Sequence, residues 1–123
     1  MSSVSTEITI TSLYDLMLGD TVRRIHIPDA VVDESVMFLT LPRNLIDVLG
    51  LSVQFKKWSE NVCDPVRVRI NGREAVGDPI EALEGTPVRV GICILAMMDL
   101  VIDRQACKLI GNPAHGGEQI LQV

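Results

Sequence analysis

The sequence predicts a mostly β domain with one short helix, and three observations carry that reading. The chain has 123 residues, of which 47% are hydrophobic. That is enough to bury a core within one domain spanning residues 1–123. Aromatic residues are scarce, only Tyr14, Phe38, Phe55 and Trp58. The core is therefore left to Val, Ile, Leu and Met, whose branched members favour pleated strands. Turn signals also fall at short, regular intervals, with no linker, repeat or low-complexity segment between them.

Taken in order, Thr6 to Ser12 alternates as a strand does, Gly19-Asp20 is a turn, and Val22 to Ile27 alternates apolar with basic residues. Pro28-Asp29 resets the chain. Ala30 to Asp33 and Met37 to Leu41 are apolar strands flanking the polar turn Asp33-Glu34-Ser35. Pro42 opens the helix, Leu45, Ile46, Val48 and Leu49 give it an apolar face, and Gly50 ends it. Asn71-Gly72, set between Val66/Val68/Ile70 and Ala75/Val76, signals a two-residue hairpin turn because both positions tolerate positive φ. Val88 to Leu95 and Leu100 to Ile102 read as buried strands separated by Ala96-Met97-Met98.

Composition excludes several function classes. Sixteen acidic against eleven basic residues give a net charge of −5, which opposes the counterion release that drives nonspecific nucleic-acid binding, so no nucleic acid is expected as a partner. No membrane partner is expected either: the longest apolar run, Val90 to Met98, is far shorter than the ~20 residues that cross a bilayer. The first residues, Met1 to Glu7, lack the basic and apolar regions of a signal peptide. Cys63, Cys93 and Cys107 are odd in number and without Cys-x-x-Cys spacing, which favours buried thiols in a reducing cytoplasm over disulfides or zinc. His26 and His115 have no ligand-like neighbours, so neither a metal nor another cofactor is expected.

One segment stands out chemically. Val31-Val32-Asp33-Glu34-Ser35-Val36-Met37-Phe38-Leu39-Thr40-Leu41-Pro42 places a carboxylate between two apolar strands. It resembles the active-site strand of retropepsin-like aspartic proteases, in which hydrophobic residues lead into Asp-Thr/Ser-Gly. Ser12 to Leu16 resembles the first strand-to-loop segment of that family, and Leu45 to Leu51, Asp64 to Arg73, Met98 to Asp103 and Leu109 to Glu118 resemble its later parts in order, the last two being similar to prokaryotic single-aspartate members. The resemblance implies a closed β-barrel of the acid-protease-half type that pairs with a second copy of itself. It implies Asp33 as the catalytic residue, Glu34 and Ser35 as the active-site loop, and Val90-Gly91 as the brace of that loop. In the family, two aspartates meeting at a two-fold axis share a proton, and the charged member activates water against a peptide or protein substrate.

Three departures bear on that chemistry. Glu34 and Ser35 stand where the family has Thr or Ser and then Gly, so an ionised carboxylate replaces a hydroxyl and a side chain replaces open space. Ser52 to Cys63 is short and glycine-free where the family carries a glycine-tipped flap. Arg89 occupies an apolar position of the brace motif Arg89-Val90-Gly91. Two readings therefore stand: an acid-favouring aspartic endopeptidase with Ser35 as hydrogen-bond partner of Asp33, or a degenerate dimer that binds peptides or supports assembly. A more distant reading compares Leu39 to Leu51 with the strand, proline and helix of swapped-hairpin DNA-binding regulators.

Other polar groups have plainer expectations. Trp58, beside Lys56 and Lys57, is read as part of an edge strand covering the core, with a peptide grip as the alternative. Asp99 and Asp103 are read as the solvated ends of one strand. Ala114-His115-Gly116-Gly117 is read as a tail turn, with dimerisation as the alternative.

Overall fold

The structure, a computed structural model, describes residues 3–19 and 21–117. Asp20, half of the expected Gly19-Asp20 turn, and Glu118 of the tail motif lie outside the described residues. Eleven strands dominate: β1 Ser5–Ser12, β2 Arg24–Val32, β3 Leu39–Pro42, β4 Val53–Lys57, β5 Glu60–Cys63, β6 Val66–Ile70, β7 Arg73–Gly77, β8 Ile80–Ala82, β9 Arg89–Val90, β10 Leu100–Asp103 and β11 Lys108–Gly111. Nine pair in the order β4-β5-β8-β3-β9-β2-β1-β6-β7, and β10-β11 form a separate hairpin. The expected barrel takes the form of a curled half-barrel, with β4 and β7 at the two ends of the sheet.

Alternation decides which face is buried. Ile8 and Ile10 of β1 and Val66, Val68 and Ile70 of β6 are at most 1% exposed, whereas the residues between them point to the opposite face. Leu39 and Leu41 of β3, Val90 of β9, and Ile94 and Met98 complete the core. β2 runs unbroken through Pro28-Asp29, where a reset was expected. A register shift opposite, between Thr6 and Ile8 of β1, absorbs the irregularity. The Asn71-Gly72 turn forms as expected, with φ of 51° and 77° and Ile70 paired to Arg73.

Among the described residues, three short α-helices stand where one was expected. α2 (Arg43–Val48) is the helix read after Pro42, and Ile46 is its buried residue. α1 (Leu13–Leu18) was not expected. Its signals are nevertheless local: the Ser12 side chain accepts from the Asp15 amide, and Gly19 closes the helix at φ 77°. α3 (Ile92–Met98) overturns the reading of Val88 to Leu95 as one strand, for only Arg89–Val90 is extended. The branched residues suggested strand, but Ile94, Leu95 and Met98 bury one helical face. The amides of Ile92 and Cys93, orphan donors of the first turn, are taken by Val36 O at 2.8 Å and Met37 O at 2.7 Å. No helix among the described residues is long and apolar enough to cross a membrane.

Further corrections concern single residues. Trp58 does not cover the core: it sits with Ser59 in the β4–β5 turn, both at positive φ, and is 87% exposed. The two-residue turn pairing Lys57 with Glu60 has no glycine or asparagine to announce it. Of the three thiols only Cys63 is buried; Cys93 is half-buried and Cys107 exposed. Burial pushes the Cys63 thiol up to about 11, so it stays protonated at neutral pH.

An acid-sensitive pair ties α1 to the chain entering β2. Arg23 donates through its backbone N at 2.9 Å and Nε at 2.8 Å to Asp15 Oδ2, and through Nη2 at 2.9 Å to Oδ1. These bonds lower the Asp15 carboxyl from 3.8 to about 2. A depressed carboxyl contributes stability that is present above its unfolded value and lost as pH falls through its folded value. Asp15→Asn should therefore lower the urea midpoint at neutral pH, and the gap from the parent should close as pH falls from about 4 towards 2. A gap that is constant over that range would contradict this assignment.

Candidate functional site

Asp33 follows directly on β2, and its loop is fixed from both sides. Its amide donates to Val90 O at 2.9 Å and its carbonyl accepts from Val36 N at 3.1 Å. β9 pairs with β2 in parallel, Val32 opposite Val90, and with β3 antiparallel, Leu39 opposite Val90. Val90 thus lies between the strands that enter and leave the loop. Gly91 lies against the loop backbone: a Cβ there would meet Val36 O and stand 2.7 Å from Phe38 O. The brace residues Val90 and Gly91 are in contact with the loop, one through its carbonyl and the other through its lack of a side chain.

Both oxygens of the Asp33 carboxylate have partners. Ser35 donates to Oδ1 twice, from its hydroxyl at 2.6 Å and its amide at 2.9 Å. Arg89 brings Nε to 3.5 Å from Oδ2. Ser35, chiefly through its hydroxyl, and then Arg89 hold the Asp33 carboxyl below its ordinary value, outweighing the opposing effect of burial. Arg89 reaches this position because β9 sets it opposite both Val31 of β2 and Thr40 of β3. As an arginine in an apolar motif it was visible in the sequence, but its role as counter-ion of Asp33 was not.

Glu34 turns elsewhere. Arg104, in the β10–β11 turn, donates through Nη2 to Glu34 Oε1 at 2.8 Å. An open cavity of about 570 Å³ lies here, bordered among others by Glu34, Leu95, Asp99, Arg104 and His115. Asp99 is not the solvated strand end that was expected. It caps α3 at φ 55°, its side chain is only 14% exposed, and His115 Nδ1 lies 2.6 Å from its Oδ2. Asn112 Nδ2 also donates to Asp99 Oδ1, at 3.3 Å. The tail segment Pro113–His115, a 3₁₀ turn, thus folds onto its own chain. Asp103 does end β10, where its Oδ1 accepts from the amides of Gln105 and Ala106.

The Ser52 to Cys63 segment is an ordered but short hairpin without glycine. β4 pairs with β5 from Val53/Cys63 to Lys57/Glu60, and Lys57 Nζ stands 5.1 Å from the Trp58 ring centroid. Its place is the far end of the sheet, separated by β8 and β3 from the strands that hold Asp33. β3, which the swapped-hairpin comparison would place in an exchanged dimer, is instead an interior strand between β8 and β9.

No protein-family model matches the chain, and no curated protein matches it. Among solved structures it is similar to the retroviral protease-like domain of Ddi1 from Leishmania major, at 13% identity and a TM-score of 0.57. That similarity spans 91% of this chain and 90% of the other. Coverage of nearly both whole chains means that the likeness is of complete domains and not of a shared strand motif. The chain therefore has a retropepsin-like fold.

Proposed function

We propose that the protein is a retropepsin-fold homodimer that binds an extended peptide across its two-fold axis without hydrolysing it. One carboxylate per chain gives a paired site only if an isologous dimer supplies the second. Two apolar side chains beside the loop support such an interface, Met37 at 66% and Ile92 at 45% exposed. A long, cleft-closing flap is absent among the described residues, which suits reversible binding more than a reaction that must exclude water.

The observation that carries the reading is the pairing of Asp33 with Ser35 and Arg89. An aspartic dyad needs one neutral carboxyl to protonate the leaving amine and one charged carboxyl to activate water. In ordinary dyads the repulsion of two adjacent carboxylates retains that proton. Here each carboxylate would bring its own guanidinium to the axis, which removes the drive to share a proton. Two Asp33 groups held ionised in this way are suited to receiving donors, such as the amides or cationic groups of a peptide, and not to general acid catalysis.

Hydrolysis remains the second reading, favoured by one observation. The Asp33 side chain is 30% exposed, and the Ser35 amide aims one of its oxygens as an orienting donor should. Sedimentation of the purified chain at micromolar concentration, combined with fluorescence polarisation against a labelled peptide library, tests the binding proposal. The expected result is a dimer that retains a subset of peptides, with retention reduced about tenfold in Asp33→Asn, as suits loss of a charge-assisted hydrogen bond. A folded, strictly monomeric chain, or retention that ignores Asp33, would overturn it.

A further inference from the structure

The outer face of the β2-β1-β6 sheet carries a groove unrelated to Asp33. Its cavity is about 440 Å³ and is lined chiefly by Thr9, Thr11, Arg24, His26, Arg67 and Arg69. Register explains the grouping. On β1, Thr11 stands opposite Arg24 on one side and Arg67 on the other, and Thr9 stands opposite His26 and Arg69. Cross-strand neighbours share a face, so two hydroxyls run down the middle of three arginines and a histidine. Arg24 and Asp33 lie at opposite ends of β2, so this groove and the Asp33 loop are separate features of the strand.

The charges in this groove are only partly answered. Arg69 is paired with Glu74, and His26 Nε2 lies 3.4 Å from Glu7. Arg24 and Arg67 have no hydrogen bond or ion pair among the described residues, although Glu74 feels the field of Arg67. Thr11, between them, is only 2% exposed, and its hydroxyl also has no hydrogen-bond partner among the described residues. On a chain whose net charge is −5, two guanidinium groups without an ion pair on either side of Thr11 point to an anionic ligand.

We propose that this groove is a binding site for a phosphate dianion, free or as a monoester. Arg24 and Arg67 supply planar, bidentate donors from opposite sides, and Thr11 donates its hydroxyl from the floor. A phosphate monoester carries about −1.5 to −2 charge and three acceptor oxygens at neutral pH, which matches two guanidinium groups without an ion pair and a central donor. A carboxylate offers a single charge and two oxygens, and leaves one of those donors unused.

Calorimetric and amide-shift titrations at about 0.15 M chloride, where long-range surface attraction is screened, test the site with phenyl phosphate, inorganic phosphate, benzoate and a short DNA duplex. Phenyl phosphate should saturate and shift the amides of Thr9, Thr11, Arg24 and Arg67. Arg24→Gln and Arg67→Gln should each weaken it about tenfold or more. Thr11→Val should weaken it severalfold, and Lys108→Gln should leave it unchanged. Arg24 is exposed and Arg67 half-buried, and circular dichroism checks that their variants keep the fold. Tighter binding of the ester assigns the site to a phosphorylated small molecule, and equal binding assigns it to free phosphate; both uphold the proposal. Benzoate binding as tightly as phenyl phosphate, the duplex binding where phenyl phosphate does not, or affinity indifferent to Arg24 and Arg67 would overturn it.

Discussion

Gly91→Ala is expected to lower the unfolding free energy by about 2–3 kcal/mol, the upper range for forcing an extra methyl into packed structure. Gly91 has φ −97° and ψ 177°, a conformation open to any residue, so the cost is not backbone strain. It is steric. The new Cβ would meet Val36 O and lie 2.7 Å from Phe38 O, and these are main-chain atoms that cannot rotate aside. Relief requires moving the Val36–Phe38 backbone, which shares hydrogen bonds with Gly91, Ile92 and Cys93. The urea midpoint should fall with the slope unchanged, as for a loss of stability without a change in exposed surface. A loss below about 0.5 kcal/mol, the usual range of a surface substitution, would mean that the loop is free to shift.

A second large effect is expected from undoing the features that hold Asp33 ionised. In the parent, the stability contributed by this depressed carboxyl is present above the unfolded carboxylate value, about 3.9, and is lost as pH falls through the folded value. Ser35→Gly removes the hydroxyl, the largest cause of the shift, while keeping the orienting amide. Arg89→Leu removes the counter-ion, and Glu34→Thr introduces a hydroxyl for the axis. The triple variant should let two Asp33 carboxyls share a proton. Peptide cleavage should then rise about 10²-fold or more above the parent, the lower end of what general acid–base catalysis contributes. A folded, dimeric triple variant that cleaves no faster than the parent would place the defect elsewhere.

Much of the frame was legible because it is written in local signals. Pro42 and Gly50 bracket α2, Asn71-Gly72 closes its hairpin, and alternation along β1 and β6 separates Ile8, Ile10, Val66, Val68 and Ile70 from the groove-lining residues. The helix Ile92–Met98 was misread because branched residues favour strand locally, while the acceptors that secure its first turn, Val36 O and Met37 O, lie more than fifty residues away. The Trp58-Ser59 turn was hidden because these residues adopt positive φ without the usual turn chemistry. Asp33 and Ser35 could be singled out together because they are two residues apart. Arg89 as the counter-ion, and Asp99 with His115, depend on strand order and tail placement, which spacing does not encode. The anion groove was least visible, since its arginines reside on strands that only the sheet brings together.

The proposal that this fold binds without hydrolysis is tested most directly by incubating the parent and Asp33→Asn with a proteome-derived peptide library from acid to neutral pH. Mass spectrometry of the new termini reads the outcome. The account predicts the same negligible cleavage from both proteins across this range, because Ser35 and Arg89 lower each Asp33 carboxyl and so oppose a proton shared between the pair. Cleavage by the parent that disappears in Asp33→Asn would contradict it and make the protein a working aspartic peptidase with a divergent active-site loop.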